Sequence, residues 1–311
     1  MGRKLSLTAA DGHRFGAYRA DPVGTPRGRV VVIQEIFGVN RHIRSVCDRL
    51  AEAGYVALAP QIFDRITPNF ETGYSEMEVA KAREFVAKVD WAKVMEDTQA
   101  AFNALKREGP VAIMGFCMGG SVAYLASARI DGLAAAVCYY GGQIIRYIDE
   151  KPRCPVQMHF GETDGHIPLS DVETMRKKQP AAEIHVYPGA GHGFHCDERG
   201  SYEAKSAKQA WDRSLAFLSR SFAAAGPVGA LLAGGGPRPS PAPLPAQSPI
   251  AKQSGAPAPG AEEGRSAPKS TKRVKPKKKA KSKPKAKAKK KSAKKPVKKS
   301  KKKAKKKSKR R

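Results

Sequence analysis

An uninterrupted β-branched run, Val30-Val31-Val32-Ile33, marks a strand covered on both faces. Beyond the Phe37-Gly38 turn, Ile43, Val46, Cys47, Leu50 and Ala51 recur with the spacing of one helix face, and Gly54 closes that helix. A further strand is predicted over 55–59, ended by Pro60. Residues 91–107 are predicted helical, with Val94, Thr98, Ala101, Phe102 and Leu105 on one side. Strand 111–114 and helix 118–128 follow, then strands over 134–139, 156–160 and 184–187, and a closing helix over 202–222. Leu5, Leu7 and the residues after them read as an N-terminal strand. Strands alternating with helices predict an α/β fold, a mostly parallel sheet with helices on both faces. In such sheets the chemistry sits at the carboxyl ends of the strands.

The alternation stops at Phe222, the last aromatic residue of the 311-residue chain. Three segments follow from composition: a domain over 1–222, a Pro/Gly/Ala-rich linker over 223–264, and a lysine-rich tail over 265–311. The tail holds 28 of the 58 Lys and Arg and none of the 28 Asp and Glu, so it has nothing to bury and is expected to be disordered when free. Residues 1–264 carry 30 basic and 28 acidic groups, a net of +2, so 28 of the 30 formal positive charges belong to the tail. No apolar run reaches the roughly 18–20 residues of a membrane-spanning helix, and the N-terminus lacks the apolar stretch of a secretory signal. Met1-Gly2-Arg3-Lys4-Leu5-Ser6 fits the loose myristoylation pattern, but Leu5 and Leu7 fit a strand better. Five cysteines without a CxxC pair argue against a disulfide framework or a zinc knuckle, and a reducing, cytoplasmic compartment is expected. Neither a cofactor nor a metal is expected.

Gly115-Phe116-Cys117-Met118-Gly119-Gly120 falls between a predicted strand and a predicted helix. It has the G-x-S-x-G spacing of a nucleophile elbow, with Cys in place of Ser. A nucleophile on so tight a turn needs neighbours without a Cβ, and the helix that follows offers N–H groups to a thiolate and an oxyanion. By itself the pattern also fits a buried Cys in a glycine-rich corner. Partners for it follow in chain order. Gly161-Glu162-Thr163-Asp164-Gly165 places a carboxylate after strand 156–160, and Pro188-Gly189-Ala190-Gly191-His192-Gly193-Phe194 places an imidazole after strand 184–187. Nucleophile, acid, then His is the order of α/β-hydrolases. Cys117 would attack, His192 would shuttle the proton and Asp164 would fix the imidazole tautomer.

Glu162 competes with Asp164, but the later residue of the turn is better placed to point across the strand tips. His159 and His185 read as packed imidazoles, while His166 and His195 lie near the site or on the surface. Cys47, Cys138, Cys154 and Cys196 read as small buried hydrophobes. Glu35, in Gln34-Glu35-Ile36-Phe37-Gly38-Val39-Asn40, stands at the same sheet edge as the elbow. It is either a strand-end carboxylate bonded to local N–H groups or part of the site.

Over about residues 1–222 the chain resembles the dienelactone hydrolases (carboxymethylenebutenolidases). The likeness is carried by the 34–40 and 115–120 motifs, the 161–168 turn and Gly191-His192-Gly193-Phe194. It implies an α/β-hydrolase fold and hydrolysis of a small ester or lactone through Cys117, His192 and Asp164. It also implies that Glu35 holds the resting thiol and takes its proton when an acidic substrate binds, and that the N–H groups of Ile36 and Met118 form an oxyanion hole. Where the family has a carboxylate-gripping Arg four residues after the catalytic His, this chain has Cys196, and the nearest arginine is Arg199. A second such Arg is expected after strand 55–59, with Arg65 and Arg83 as candidates.

The tail's Lys-Ala-Pro-Ser makeup resembles linker-histone and bacterial histone-like tails in composition alone. Such a chain binds polyanions by counterion release, with steep salt dependence. It has no aromatic residue for base stacking and only Arg265, Arg273, Arg310 and Arg311 for bidentate base contacts, so recognition would be non-specific. DNA, RNA, polyphosphate or an anionic membrane surface are the partner classes, with nucleoid association as one outcome. The competing function is a nucleic-acid-associated protein that uses the hydrolase domain as a scaffold.

Overall fold

A computed structural model describes residues 2–226, so the tail and all but the first residues of the linker lie outside the described part. Strands β1 (Arg3–Thr8) and β2 (Arg14–Ala20) form an antiparallel hairpin, and β3 (Gly28–Ile33) enters the centre of the sheet. There follow α1 (Arg41–Glu52), β4 (Tyr55–Pro60), α2 (Glu76–Val86), α3 (Trp91–Lys106), β5 (Val111–Phe116) and α4 (Met118–Arg129). Then come β6 (Leu133–Tyr139), the short α5 (Ile144–Tyr147), β7 (Val156–Gly161), α6 (Leu169–Lys178), β8 (Glu183–Tyr187) and α7 (Ala204–Ala225). The eight strands lie in the order β1-β2-β4-β3-β5-β6-β7-β8 and are parallel from β4 onward.

Every residue of β4, β5 and β7 is buried, and since successive side chains point to opposite faces, helices must cover both sides of the sheet. Val30, Val31, Val32 and Ile33 are wholly inaccessible, each burial contributing roughly 1.5–3 kcal/mol. The chain leaves β3 for β4 on one side and returns to β5 on the other, which opens a crevice at the carboxyl ends of β3 and β5. The loops carrying Glu35 and Cys117 diverge at that crevice.

Strand β2 and helices α2 and α6 were not predicted. In α2 only Ala82 is buried and in α6 only Val172 and Met175, so neither carries a readable apolar stripe. The closing helix begins at Ala204, where the Glu203 carboxylate caps the amides of Lys205 and Ser206, and it runs past the expected boundary at Phe222 to Ala225. No helix among the described residues is long and apolar enough to cross a membrane.

Candidate active site

The turn from β5 into α4 holds Cys117 at φ 54° and ψ −115°, a backbone region that costs a side-chain-bearing residue of order 1–3 kcal/mol. The turn is pinned by the Cys117 N–H to Tyr139 O (3.0 Å) and by the Cys117 carbonyl, which accepts from Gly120 N (3.0 Å). A Cβ on Gly115 would stand 1.9 Å from Gly119 O, and one on Gly119 would stand 2.3 Å from Ile33 O. Both glycines are therefore required by close backbone approach, and that approach seats the elbow against the end of β3. Among the described residues the Ile36 and Met118 amides have no backbone partner, and Met118 is the first residue of α4, where unpaired N–H groups favour negative charge.

His192, in the loop after β8, brings Nε2 to 3.2 Å from Cys117 Sγ and Nδ1 to 2.8 Å from Asp164 Oδ2. The Asp164 side chain is fully buried, and its other oxygen accepts from the His166 amide (2.8 Å). Glu162 is exposed and its carboxylate takes the Gly189 N–H at 2.9 Å, so the competing carboxylate serves the loop. Burial alone would push the His192 imidazole down. The Cys117 sulfur and the Asp164 carboxylate outweigh it and raise the group to about 10, so the ring is held protonated.

Glu35 is buried directly after β3, with Oε1 accepting from Arg199 Nη1 (3.4 Å) and Oε2 from the Tyr74 hydroxyl (3.3 Å). With both oxygens taken, no hydrogen bond joins Glu35 to Cys117 among the described residues. The expectation that Glu35 holds the resting thiol is corrected: the sulfur's partner is His192. Asn40, at the end of the 34–40 motif, caps α1 by accepting from Ile43 N and donates through Nδ2 to the Tyr74 hydroxyl (3.0 Å). One side chain thus starts the helix and steers the tyrosine that holds Glu35.

The three candidate arginines separate. Arg199 lies over the Phe37 and Tyr74 rings at 5.6 and 5.7 Å, and a Cβ on Gly193 would approach its Nη1 to 2.3 Å. Burial opposes its charge, but Glu35 and the Cys117 sulfur raise its pKa. Arg65 is corrected as a site residue: Nε and Nη2 bond the buried Asp97 at 2.9 and 2.7 Å, and Nη1 bonds Asp11 at 2.8 Å. Its guanidinium is consumed in neutralising a core carboxylate. Arg83 is corrected likewise, because it projects exposed from the last turn of α2 and has no contact with Cys117, His192 or Glu35 among the described residues.

Sequence reasoning missed Tyr74 and Tyr140. Tyr140 follows β6 at φ 38°, fully buried, its ring edge-on to His192 at 5.1 Å and its hydroxyl without a hydrogen-bond partner among the described residues. Burial pushes its pKa up, and the charges of Glu35, Arg199 and Cys117 all reach it. Its one sequence signal is position, directly after a strand at the same sheet edge. His159 is packed, with bonds to Tyr187, Gln157 and Ser214. His195 is neither at the surface nor in the cleft: it is buried against Phe116, Tyr139 and Trp211. His166 is exposed, its ring edge-on to His192 at 5.1 Å. All five cysteines are free; burial pushes the Cys47 and Cys138 thiols up, and those of Cys154 and Cys196 to about 12. Among the described residues, Glu35, His42 and Cys196 each bring one ligand-type atom within 4.8 Å of the others.

The sequence profile of the dienelactone hydrolase family matches residues 15–222. A Synechocystis sp. protein with the provisional name carboxymethylenebutenolidase is 38% identical over 221 residues, which span 64% of this chain and 89% of that one. The carboxymethylenebutenolidase of Pseudomonas putida is 29% identical over 225 residues, 69% of this chain and 95% of its own. Among solved structures, a provisionally named dienelactone hydrolase from Klebsiella pneumoniae aligns with a TM-score of 0.63 and 33% identity, covering 71% of this chain and 99% of that one.

Proposed function

The chain belongs to the dienelactone hydrolase family and is a carboxymethylenebutenolidase-like ester or lactone hydrolase, and on that premise we propose that Cys117 is its nucleophile. His192 holds the thiol's proton at Nε2 in a resting thiolate–imidazolium pair, and Asp164 steadies that imidazolium through Nδ1. The thiolate adds to the substrate carbonyl, and the Ile36 and Met118 amides receive the oxyanion. His192 returns its proton to the leaving oxygen as a thioester forms. The neutral imidazole then removes a proton from water, which adds to the thioester and expels the Cys117 sulfur. Arg199 receives the carboxylate of an acidic substrate in place of Glu35.

The observation that carries this reading is the continuous Asp164–His192–Cys117 relay of 2.8 and 3.2 Å, beside two amides that have no backbone partner among the described residues. The test is turnover of p-nitrophenyl esters and lactones by the full chain. Cys117→Ala is expected to abolish it, and undiminished activity overturns the assignment. A scaffold role for the domain gains nothing from this geometry. For the tail, charge supports non-specific binding of nucleic acid or another polyanion by residues 265–311, joined to the 1–222 domain through the 223–264 linker.

A further inference from the structure

We propose that Tyr140 is a further catalytic residue, whose hydroxyl hydrogen-bonds the leaving oxygen of the substrate and then the water that hydrolyses the thioester. The inference rests on Cys117 acting as nucleophile and His192 as its base, as proposed above.

Tyr140 is the first residue after β6, and its backbone is fixed on both sides. The preceding carbonyl, of Tyr139, accepts the Cys117 N–H at 3.0 Å, and the Tyr140 N–H donates to His159 O on β7 at 2.8 Å. These bonds hold it at φ 38°, where a bulky side chain is an outlier and where strain tends to mark functional sites. The ring is wholly buried, edge-on to His192 at 5.1 Å and to Phe194 at 5.6 Å. Buried hydroxyls are paired as a rule, yet this one has no hydrogen-bond partner among the described residues. For packing alone, Phe fills the same space without burying an unused O–H. The groups whose charges reach the hydroxyl are those of the cleft: Glu35, Cys196, Arg199 and Cys117. Burial keeps the phenol protonated, so it meets each step as a neutral hydroxyl, with one O–H to donate and lone pairs to accept.

Strand order fixes which substrate atom lies beside it. Strands β3 and β6 flank β5 on opposite sides, with the Ile36 amide just beyond the end of β3 and Tyr140 at the end of β6. An oxyanion on the Ile36 and Met118 amides therefore lies on the β3 side of Cys117. The leaving oxygen takes its proton from His192, so it departs on the side where His192 and Tyr140 meet. Water attacks the thioester from that same side, because the same imidazole takes its proton. The Tyr140 O–H donates to the leaving oxygen as the C–O bond breaks, and its oxygen accepts the second hydrogen of the attacking water. The Tyr140 proton stays on its own oxygen throughout, and His192 carries the proton that moves.

The experiment compares the full chain with Tyr140→Phe on phenyl acetate and p-nitrophenyl acetate. In kcat/KM, which covers the steps up to thioester formation, Tyr140→Phe is expected to lose roughly 10- to 100-fold on phenyl acetate. The loss on p-nitrophenyl acetate is expected to be several-fold smaller, because its weakly basic leaving oxygen draws less on a donor. The rate of Cys117 alkylation by iodoacetamide and the melting temperature should hold, since neither depends on a bond to substrate. No loss, or equal loss on both esters, overturns the proposal. So does a fall in alkylation that matches the fall in turnover, which makes Tyr140 a support for the Cys117–His192 pair. A lowered melting temperature overturns it as well, because the hydroxyl then bonds the folded chain. Turnover that survives Cys117→Ala overturns the nucleophile assignment itself, whereas native rates in Tyr140→Phe beside an inactive Cys117→Ala overturn the role of Tyr140 alone.

Discussion

His192 Nε2 meets Cys117 Sγ at 3.2 Å across 75 residues of chain, and the contact makes this sulfur unlike the other four. Cys47, Cys138, Cys154 and Cys196 have thiols pushed up by burial, whereas Cys117 faces a protonated imidazole. Iodoacetamide near neutral pH is therefore expected to modify one cysteine, Cys117, as read by peptide mass spectrometry. His192→Gln should slow that reaction at least about tenfold. Equal labelling of several cysteines in the folded protein contradicts the assignment.

The same contact has a pH signature. His192 is raised from 6.5 to about 10, so its contribution to stability is fully present below the unfolded value and is lost as pH climbs through about 10. The melting temperature of the native chain should exceed that of His192→Gln by a constant margin up to about pH 6.5, and the margin should shrink towards pH 10. A margin that widens over this range has the wrong sign for the pair.

Arg65 is expected to matter for folding. Its removal leaves Asp97 buried without a partner, and breaking such a pair costs about 3–5 kcal/mol. Denaturant unfolding of Arg65→Ala should show that loss, and the double variant with Asp97→Asn should recover much of it. A stable Arg65→Ala with selectively raised KM for acidic esters would return this arginine to the substrate site.

Arg199 is expected to act on substrate charge. Arg199→Ala should raise KM for a carboxylate-bearing aryl ester roughly 10- to 100-fold, since hydrogen bonds to charged groups contribute about 1.5–3 kcal/mol. A neutral ester of the same leaving group should lose far less. Equal losses on the two substrates assign Arg199 to the architecture of Glu35 alone.

The basic tail is tested by salt. The full chain should be retained on immobilised DNA at low ionic strength and released steeply as salt rises, while residues 1–226, with their nearly balanced charge, should pass through. Retention of the short form would place the polyanion surface on the domain.

The local pattern of the chain was enough for the parallel sheet and the elbow. The 30–33 run, the α1 stripe and the glycines around Cys117 each declare a conformation by hydrophobic spacing or by the need to omit a Cβ, and these requirements act within a few residues. α2 and α6 escaped notice because they bury one and two side chains, which is too little for periodicity to register. Cys117, Asp164 and His192 were legible because each follows its own strand and parallel strands deliver their carboxyl ends to one edge.

Long-range packing decided the rest. It placed Arg199 on Glu35 from seven residues beyond His192, consumed Arg65 against Asp97, turned the sulfur towards His192, and brought Tyr74 and Tyr140 to the cleft. These choices depend on distance and burial between segments tens of residues apart, where spacing along the chain carries no information about which charges and rings will share a cavity.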